Sequence, residues 1–128
     1  MVKKILTVDD EPDVMYTVKY GLEGLDSNFE VTMVTTGKKC FEILENNERP
    51  DIILLDIMMP DMSGWEILKK IKEHPTWKSI PVIFLTARTD RVAKNAGGFL
   101  AEDYIEKPFK IPELKHRIDK VLEKIYSG

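Results

Sequence analysis

The stretch Ile52–Pro60, with the sequence IILLDIMMP, determines which fold this chain is expected to adopt. Four consecutive aliphatic residues with no polar residue between them are typical of a strand whose two faces are both buried. Such strands lie at the centre of parallel sheets that carry helices on both sides. Pro60 lacks the N–H that a continuing ladder needs. The strand is therefore expected to end near Asp56, at the edge of the sheet where α/β proteins bind ligands.

Strand and helix patterns alternate along the rest of the chain. Apolar runs predict further strands at Lys3–Val8, Phe29–Val34, Pro81–Thr86 and Asp103–Glu106. Apolar residues at helical spacing predict helices over residues 12–25, 36–45, 63–73, 90–100 and 112–125. Because parallel crossovers are right-handed, this order predicts a flavodoxin-like, doubly wound (βα)5 sandwich of three layers. Its five parallel strands are expected in the order 2-1-3-4-5.

The apolar residues of the first and last helices predict which face of each is buried. In the first helix these residues are Val14, Val18, Leu22 and Leu25, with Met15 beside them. In the last helix they are Leu114, Ile118, Val121 and Ile125.

Length and composition restrict the class of protein. A chain of 128 residues with 43% hydrophobic residues is expected to form one domain, residues 1–128, with no effector domain. The net charge of -3 gives no reason to expect direct nucleic-acid binding. Cys40 is the only cysteine, and no apolar run approaches the ~20 residues that span a bilayer. We therefore expect a cytoplasmic protein that does not bind membranes.

Polar residues at the strand ends predict a site. In the predicted strand order Asp9, Asp10, Asp56 and Thr86 share one edge of the sheet, and Lys107 reaches the same edge from the fifth strand. Three neighbouring carboxylates repel one another unless a cation lies between them. Oxygen ligands without Cys or His favour a hard ion, and few carboxylates with room for water favour Mg2+ over Ca2+. A carboxylate beside Mg2+ and a lysine can attack a phosphoryl group and form an acyl phosphate.

Four motifs carry a resemblance to a known family. They are Val8–Pro12, Leu54–Gly64, Leu85–Arg88 and Asp103–Phe109. With these motifs in this order, the whole chain resembles the receiver domains of response regulators, the CheY-like superfamily of two-component signalling.

The resemblance implies a phosphoacceptor and its metal ligands. Asp56 would accept phosphate from a sensor histidine kinase or a phosphotransfer protein. Asp10 and Asp56 would bind Mg2+, with Mn2+ as a possible substitute, while Asp9 would act mainly through water. The main-chain carbonyl of Met58 would supply a further ligand. The protein would be a signalling phosphoacceptor rather than an enzyme with a separate product.

The resemblance also implies a switch. Thr86 would hydrogen-bond the new phosphoryl oxygen, and Lys107 would pair with the phosphoryl group. Tyr104 would turn inward as Thr86 moves, altering the face made by the fourth helix, the fifth strand and the fifth helix. This face would control an unidentified downstream protein, with the chain a monomer or a phosphorylation-dependent dimer. The Lys107–Pro108 peptide would be cis.

Two residues flank the expected phosphoryl site in the resemblance. Met58 and Arg88 stand two positions after Asp56 and Thr86 and would tune water access, which suggests slow self-dephosphorylation. Read without the resemblance, Met58 and Met59 are packing residues.

Several alternatives compete with this interpretation. The acids near Asp10 could be ordinary acids at a helix N-terminus, and Lys107 could form a purely structural salt bridge with Asp56. A haloacid-dehalogenase-like phosphatase needs a second acid at the position of Met58, and a flavodoxin needs a hydroxyl-rich loop where Asp9 and Asp10 stand. The chain could be a stand-alone protein or a receiver cut from a longer regulator or hybrid kinase.

One segment departs from the family pattern. Receivers usually carry Ala-Gly-Ala-Asp-Asp-Tyr before the lysine strand, whereas this chain has GGFLAEDY at Gly97–Tyr104. Since Gly97 and Gly98 weaken a helix, the predicted helix over residues 90–100 is expected to be less regular than the others.

Overall fold

The computed structural model describes residues 2–86 and 101–127. Its strands are β1 (Lys3–Val8), β2 (Phe29–Val34), β3 (Ile52–Asp56), β4 (Val82–Thr86) and β5 (Asp103–Glu106). Its helices are α1 (Pro12–Leu25), α2 (Gly37–Glu45), α3 (Gly64–Glu73) and a C-terminal helix (Ile111–Ser127). The helix predicted over residues 90–100, with its glycine pair, lies outside the described residues, as does Arg88.

The strands form one parallel sheet in the order β2-β1-β3-β4-β5, which confirms the predicted topology. β3 lies in the middle, and all five of its residues are buried. Four aliphatic residues without alternation therefore mark a strand covered on both faces, as expected.

Helices cover both faces of the sheet and divide the apolar core in two. α1 and the C-terminal helix pack on one face around Val18, Leu22, Leu114 and Ile118. α2 and α3 pack on the other face around Cys40, Leu44, Leu68 and Ile71. None of the described helices is long and apolar enough to cross a membrane.

Local chemistry sets where α2 and α3 begin. The Thr36 hydroxyl accepts a hydrogen bond from the Lys39 N–H at 3.1 Å, and the Ser63 hydroxyl accepts one from the Glu66 N–H at 3.3 Å. Each hydroxyl caps an N–H that has no partner inside its helix.

Three apolar residues are more exposed than predicted. Leu25 is 50% exposed and Ile125 is 43% exposed, whereas Met15 and Leu122 are buried. Leu25 is the last residue of α1, and Ile125 lies in the last turn of the C-terminal helix. Met58 is 77% exposed, so its interpretation as a packing residue was wrong. It lies in the loop after β3 rather than on the strand.

Candidate functional site

The carboxyl ends of β1 and β3 bring the predicted acids together. In the ladder between these strands Val8 is paired with Leu55, so Asp9 and Asp56 follow at adjacent positions. Asp10 is the next residue of the β1 loop and is exposed. Asp9, directly after β1, and Asp56, the last residue of β3, are only 1% and 5% exposed.

Asp9, Asp10 and Asp56 form a compact carboxylate cluster. One carboxylate oxygen from each residue lies within 4.8 Å of the other two. Two of the three side chains are buried, so water offers them little screening. The cluster would be strongly repulsive without a positive charge beside it.

Lys107 supplies a positive charge from the loop after β5. Its Nζ donates a hydrogen bond to Asp9 Oδ2 at 2.8 Å and lies 3.6 Å from Asp56 Oδ1. Glu11 Oε1 is 3.9 Å from the same nitrogen. The Lys107–Pro108 peptide bond is cis, as expected. The lysine therefore contacts the acids of both loops at once.

The charges of the cluster shift two pKa values. Burial and the charges of Asp9 and Asp10 raise the pKa of Asp56 to about 6, although Lys107 acts against this rise. For Lys107, burial alone would lower the pKa, but the hydrogen bond and the charge of Asp9, together with Asp56 and Glu11, raise it above its ordinary value. Lys107 is therefore a cation at neutral pH.

Main-chain N–H groups hold the two buried carboxylates in place. The Glu11 N–H donates to Asp9 Oδ1 at 2.9 Å, so both oxygens of Asp9 have a donor. The Met58 N–H donates to the Asp56 carboxylate, which favours its charged form. Among the described residues, Asp56 has this main-chain donor and the Lys107 ammonium at 3.6 Å.

The donor set fits a hard divalent cation. Three carboxylates provide oxygen ligands without sulfur or imidazole, and the exposed Asp10 leaves the cluster open to water on one side. Mg2+ is usually bound by one or two carboxylates while it keeps several waters. A cation here would also offset the repulsion that raises the pKa of Asp56.

Tyr104 is tied to the strand that carries Thr86. The Tyr104 ring stacks on Phe84 of β4 with 5.6 Å between ring centroids. Its hydroxyl is buried and has no hydrogen-bond partner among the described residues. Thr86 ends β4 opposite Glu106, beside the end of β3, but its side chain lies outside the described part of the chain. The switching roles of Tyr104 and Thr86 therefore stay predictions.

Two contacts that shape the loop after Asp56 were not predicted from the sequence. The Asp61 carboxylate accepts hydrogen bonds from the Gly37 N–H at 3.3 and 3.2 Å, which ties this loop to the start of α2. The Gly64 N–H donates to the Ile57 carbonyl at 2.8 Å and closes the loop. The signal for the second contact was a glycine directly after the capping Ser63, since glycine is a poor helix former.

Comparisons with known proteins agree with this geometry. Residues 5–119 match the family described as the response regulator receiver domain. The chain is 40% identical over 120 residues to the "Probable cyclic di-GMP phosphodiesterase" of Vibrio cholerae, covering 93% of this chain and 26% of that protein. It is 36% identical over 127 residues to the phosphate regulon transcriptional regulatory protein PhoB of Rhizobium meliloti, covering 97% of this chain and 54% of that protein.

Solved structures with the same fold also include response regulator receiver domains. A CheY-like response regulator receiver domain protein from Methanospirillum hungatei aligns over 100% of both chains, with a TM-score of 0.88 and 28% identity. The chain spans about half the length of these curated relatives, or less. From the family match, the fold and these relatives, the chain belongs to the family of response regulator receiver domains.

Proposed function

We propose that residues 1–128 act as a phosphoacceptor receiver domain in a two-component phosphorelay, with Asp56 as the residue that takes the phosphoryl group. The observation that carries this proposal is the position of Lys107, which contacts both Asp9 and Asp56 beside the exposed Asp10. A purely structural salt bridge with Lys107 would need only one acid. The other two carboxylates of the cluster would then only lower the stability of the fold.

The reaction is a transfer from a phosphohistidine of a sensor kinase or phosphotransfer protein. A carboxylate oxygen of Asp56 attacks phosphorus, the bond to the donor nitrogen breaks, and an acyl phosphate forms. Lys107 lies 3.6 Å from Asp56 and pairs with the incoming phosphoryl oxygens. Asp10, Asp56 and the main-chain carbonyl of Met58 would hold Mg2+, with Asp9 acting through water. The metal would supply positive charge that offsets negative charge on the phosphoryl oxygens.

Phosphorylation of Asp56 changes the conformation of one surface of the domain. Thr86 hydrogen-bonds the phosphoryl group, and Tyr104, whose hydroxyl has no described partner, follows it. The change reaches the face around β5 and the C-terminal helix, where a downstream protein or a second receiver binds. The proposed setting is the cytoplasm, where the kinase domain resides.

The first experiment measures phosphoryl uptake. Purified protein is incubated with acetyl phosphate and Mg2+, and intact mass is recorded. We expect a mass increase of one phosphoryl group that disappears with EDTA and returns with Mg2+ or Mn2+. The proposal is overturned if the Asp56→Asn variant takes up as much phosphate as the parent chain.

A matched control separates the site from nonspecific phosphorylation. Asp13→Asn removes an exposed carboxylate in the first turn of α1 that is not one of the three clustered acids, and it should label like the parent chain. Lys107→Met should reduce uptake strongly while the protein stays folded, because the cation that pairs with the phosphoryl group is lost.

The lifetime of the acyl phosphate tests the tuning role of Met58. Its side chain is 77% exposed beside Asp56, so it can hinder an attacking water. We expect slow hydrolysis in the parent chain and faster hydrolysis in Met58→Asn. A parent lifetime of seconds would contradict this role.

A further inference from the structure

The β2 strand forms one edge of the sheet, and its outward side is a place where another strand could pair. β2 has β1 on one side only in the strand order. At the two ends of this ladder Lys3 N–H donates to the Asn28 carbonyl, and Asp9 N–H donates to the Val34 carbonyl. The N–H and C=O groups of successive residues in a strand point to opposite sides, so the even-numbered residues of β2 form the hydrogen bonds to β1. The N–H and C=O of Val31 therefore point away from the sheet.

Two side chains of α1 occupy this outward position. The Glu23 carboxylate accepts a hydrogen bond from the Val31 N–H at 2.9 Å. The Lys19 ammonium donates to the Val31 carbonyl at 2.8 Å and to the same Glu23 oxygen at 3.0 Å. Together they satisfy both backbone groups of Val31, as a neighbouring strand would.

The pair is more than a surface ion pair. Its side chains are only 27% and 28% exposed, so they lie along the strand rather than in open water. Burial acts to raise the pKa of Glu23, but the Val31 N–H and Lys19 outweigh it and hold the pKa below its ordinary value. Phe29, two residues before Val31, is the preceding residue whose backbone groups point outward, and its N–H donates to the Asp26 carbonyl at 3.1 Å. Two successive outward positions of β2 are thus occupied by the chain itself.

We propose that the Lys19–Glu23 pair closes the β2 edge of the sheet against strand pairing with a second copy of this chain. Unpaired edges are templates for association, and proteins protect them with charged side chains or by covering them. Here the protection consists of hydrogen bonds from helix α1 to the edge strand itself. The proposal is independent of phosphoryl transfer, because neither residue contacts the acid cluster among the described contacts.

The test compares two variants by light scattering over a range of protein concentrations, without phosphodonor or divalent cation. Lys19→Ala/Glu23→Ala exposes the Val31 edge and should form dimers or larger species as concentration rises. Glu113→Ala is the control. It breaks another i,i+4 pair, the 3.6 Å contact between Arg117 and Glu113 in the C-terminal helix. The control should stay at the mass of the parent chain.

Two further variants identify the surface that associates. Glu23→Gln keeps an acceptor for the Val31 N–H and should keep the mass of the parent chain. Thr32→Lys, added to the Lys19→Ala/Glu23→Ala variant, places a charge on an exposed position of β2 and should reverse association. Amide exchange at Val31 should accelerate by about tenfold or more in the associating variant when it is diluted to monomer, because a charge-assisted hydrogen bond is lost.

The outcomes separate edge protection from ordinary stabilisation. If Lys19→Ala/Glu23→Ala is folded by circular dichroism, unfolds at a lower temperature and keeps the mass of the parent chain at every concentration, the proposal is wrong. Equal association of the Glu113→Ala control would also overturn it. Association of the first variant alone, reversed by Thr32→Lys, supports it.

Discussion

Gly64 shows how a single residue without a side chain fixes the loop that follows Asp56. A Cβ added at Gly64 would clash with the main-chain oxygen of Asp56 and lie 2.8 Å from the Cα of Ile57. Both atoms belong to the backbone at the end of β3, so neither can move without moving Asp56, the proposed phosphoacceptor.

We therefore expect Gly64→Ala to lower the free energy of unfolding by about 1–3 kcal/mol, the usual cost of overpacking. It should also reduce phosphoryl uptake from acetyl phosphate. Urea denaturation measures the first effect. Gly24→Ala is the control, because an added Cβ there meets nothing within 4 Å in helix α1. That control should gain about 0.5–1 kcal/mol from reduced chain entropy. Equal effects of the two variants would contradict the close approach at Gly64.

Cys40 is a second residue whose environment decides its chemistry. Its side chain is fully buried between α2 and the sheet, and burial raises the pKa of its thiol to about 12. Because the thiolate is the reactive form, the folded protein should not react with a thiol reagent such as iodoacetamide at pH 8. Intact mass should show labelling only after urea is added. Rapid labelling of the folded chain would contradict this burial.

At the scale of elements, an ion pair joins β5 to the C-terminal helix. Arg117 donates two hydrogen bonds to the Asp103 carboxylate, from Nε at 2.6 Å and from Nη2 at 2.8 Å. Burial acts to raise the pKa of Asp103, but the hydrogen bonds from Arg117 and from the Tyr104 N–H outweigh it and lower the pKa. The short strand β5 is thus held to the helix that follows it.

The lowered pKa of Asp103 predicts a dependence of stability on pH. The folded state binds the Asp103 proton more weakly than the unfolded state, so the contribution is present above the ordinary value of 3.8 and is lost as pH falls below it. We expect Asp103→Asn to lower the free energy of unfolding by about 1 kcal/mol at neutral pH and much less near pH 3. Urea denaturation at both pH values measures this difference.

Arg117→Lys is the companion variant, since it keeps the positive charge but cannot form the bidentate contact with the Asp103 carboxylate. It should lose part of the stability that Asp103→Asn loses. A constant difference between Asp103→Asn and the parent chain across this pH range would show that the carboxylate charge is not what stabilises the contact.

At the scale of the whole molecule, the acid cluster weakens the fold that carries it. Carboxylate oxygens of Asp9, Asp10 and Asp56 lie within 4.8 Å of one another, and among the described residues Lys107 contacts two of these acids, Asp9 and Asp56. Replacing Asp56 by asparagine removes one buried charge and its repulsion with Asp9 and Asp10. We expect the metal-free free energy of unfolding to rise by about 1–3 kcal/mol in Asp56→Asn. Urea denaturation in EDTA measures this change, with Asp13→Asn as the control.

Metal binding should reverse the order of stability of the parent chain and Asp56→Asn. The proposed Mg2+ site exists only in the folded state, so Mg2+ at about 10–100 times its Kd should stabilise the parent chain by about 1–3 kcal/mol. Asp56→Asn should gain less, since one ligand has lost its charge. Thermal unfolding with and without Mg2+ measures both gains. Equal gains in the two proteins would exclude Asp56 as a ligand.

The sequence by itself determined the features that follow from periodicity and order. Uninterrupted apolar residues predicted the buried strands, and alternation with helices predicted the strand order that the sheet has. Because parallel strands end at one edge, that order also predicted that Asp9, Asp56 and Lys107 would lie together. The distances between them confirm this expectation.

Only the tertiary structure decided contacts between residues that no periodicity links. Gly64 is required because α3 starts against the backbone of Asp56, and the Lys19–Glu23 pair bonds Val31 because α1 crosses the edge of β2. Likewise, Ile125 lies on the predicted stripe but is exposed, while Leu122 is buried. Local patterns report which face of an element is apolar, whereas close approach depends on how far each element extends over its neighbours.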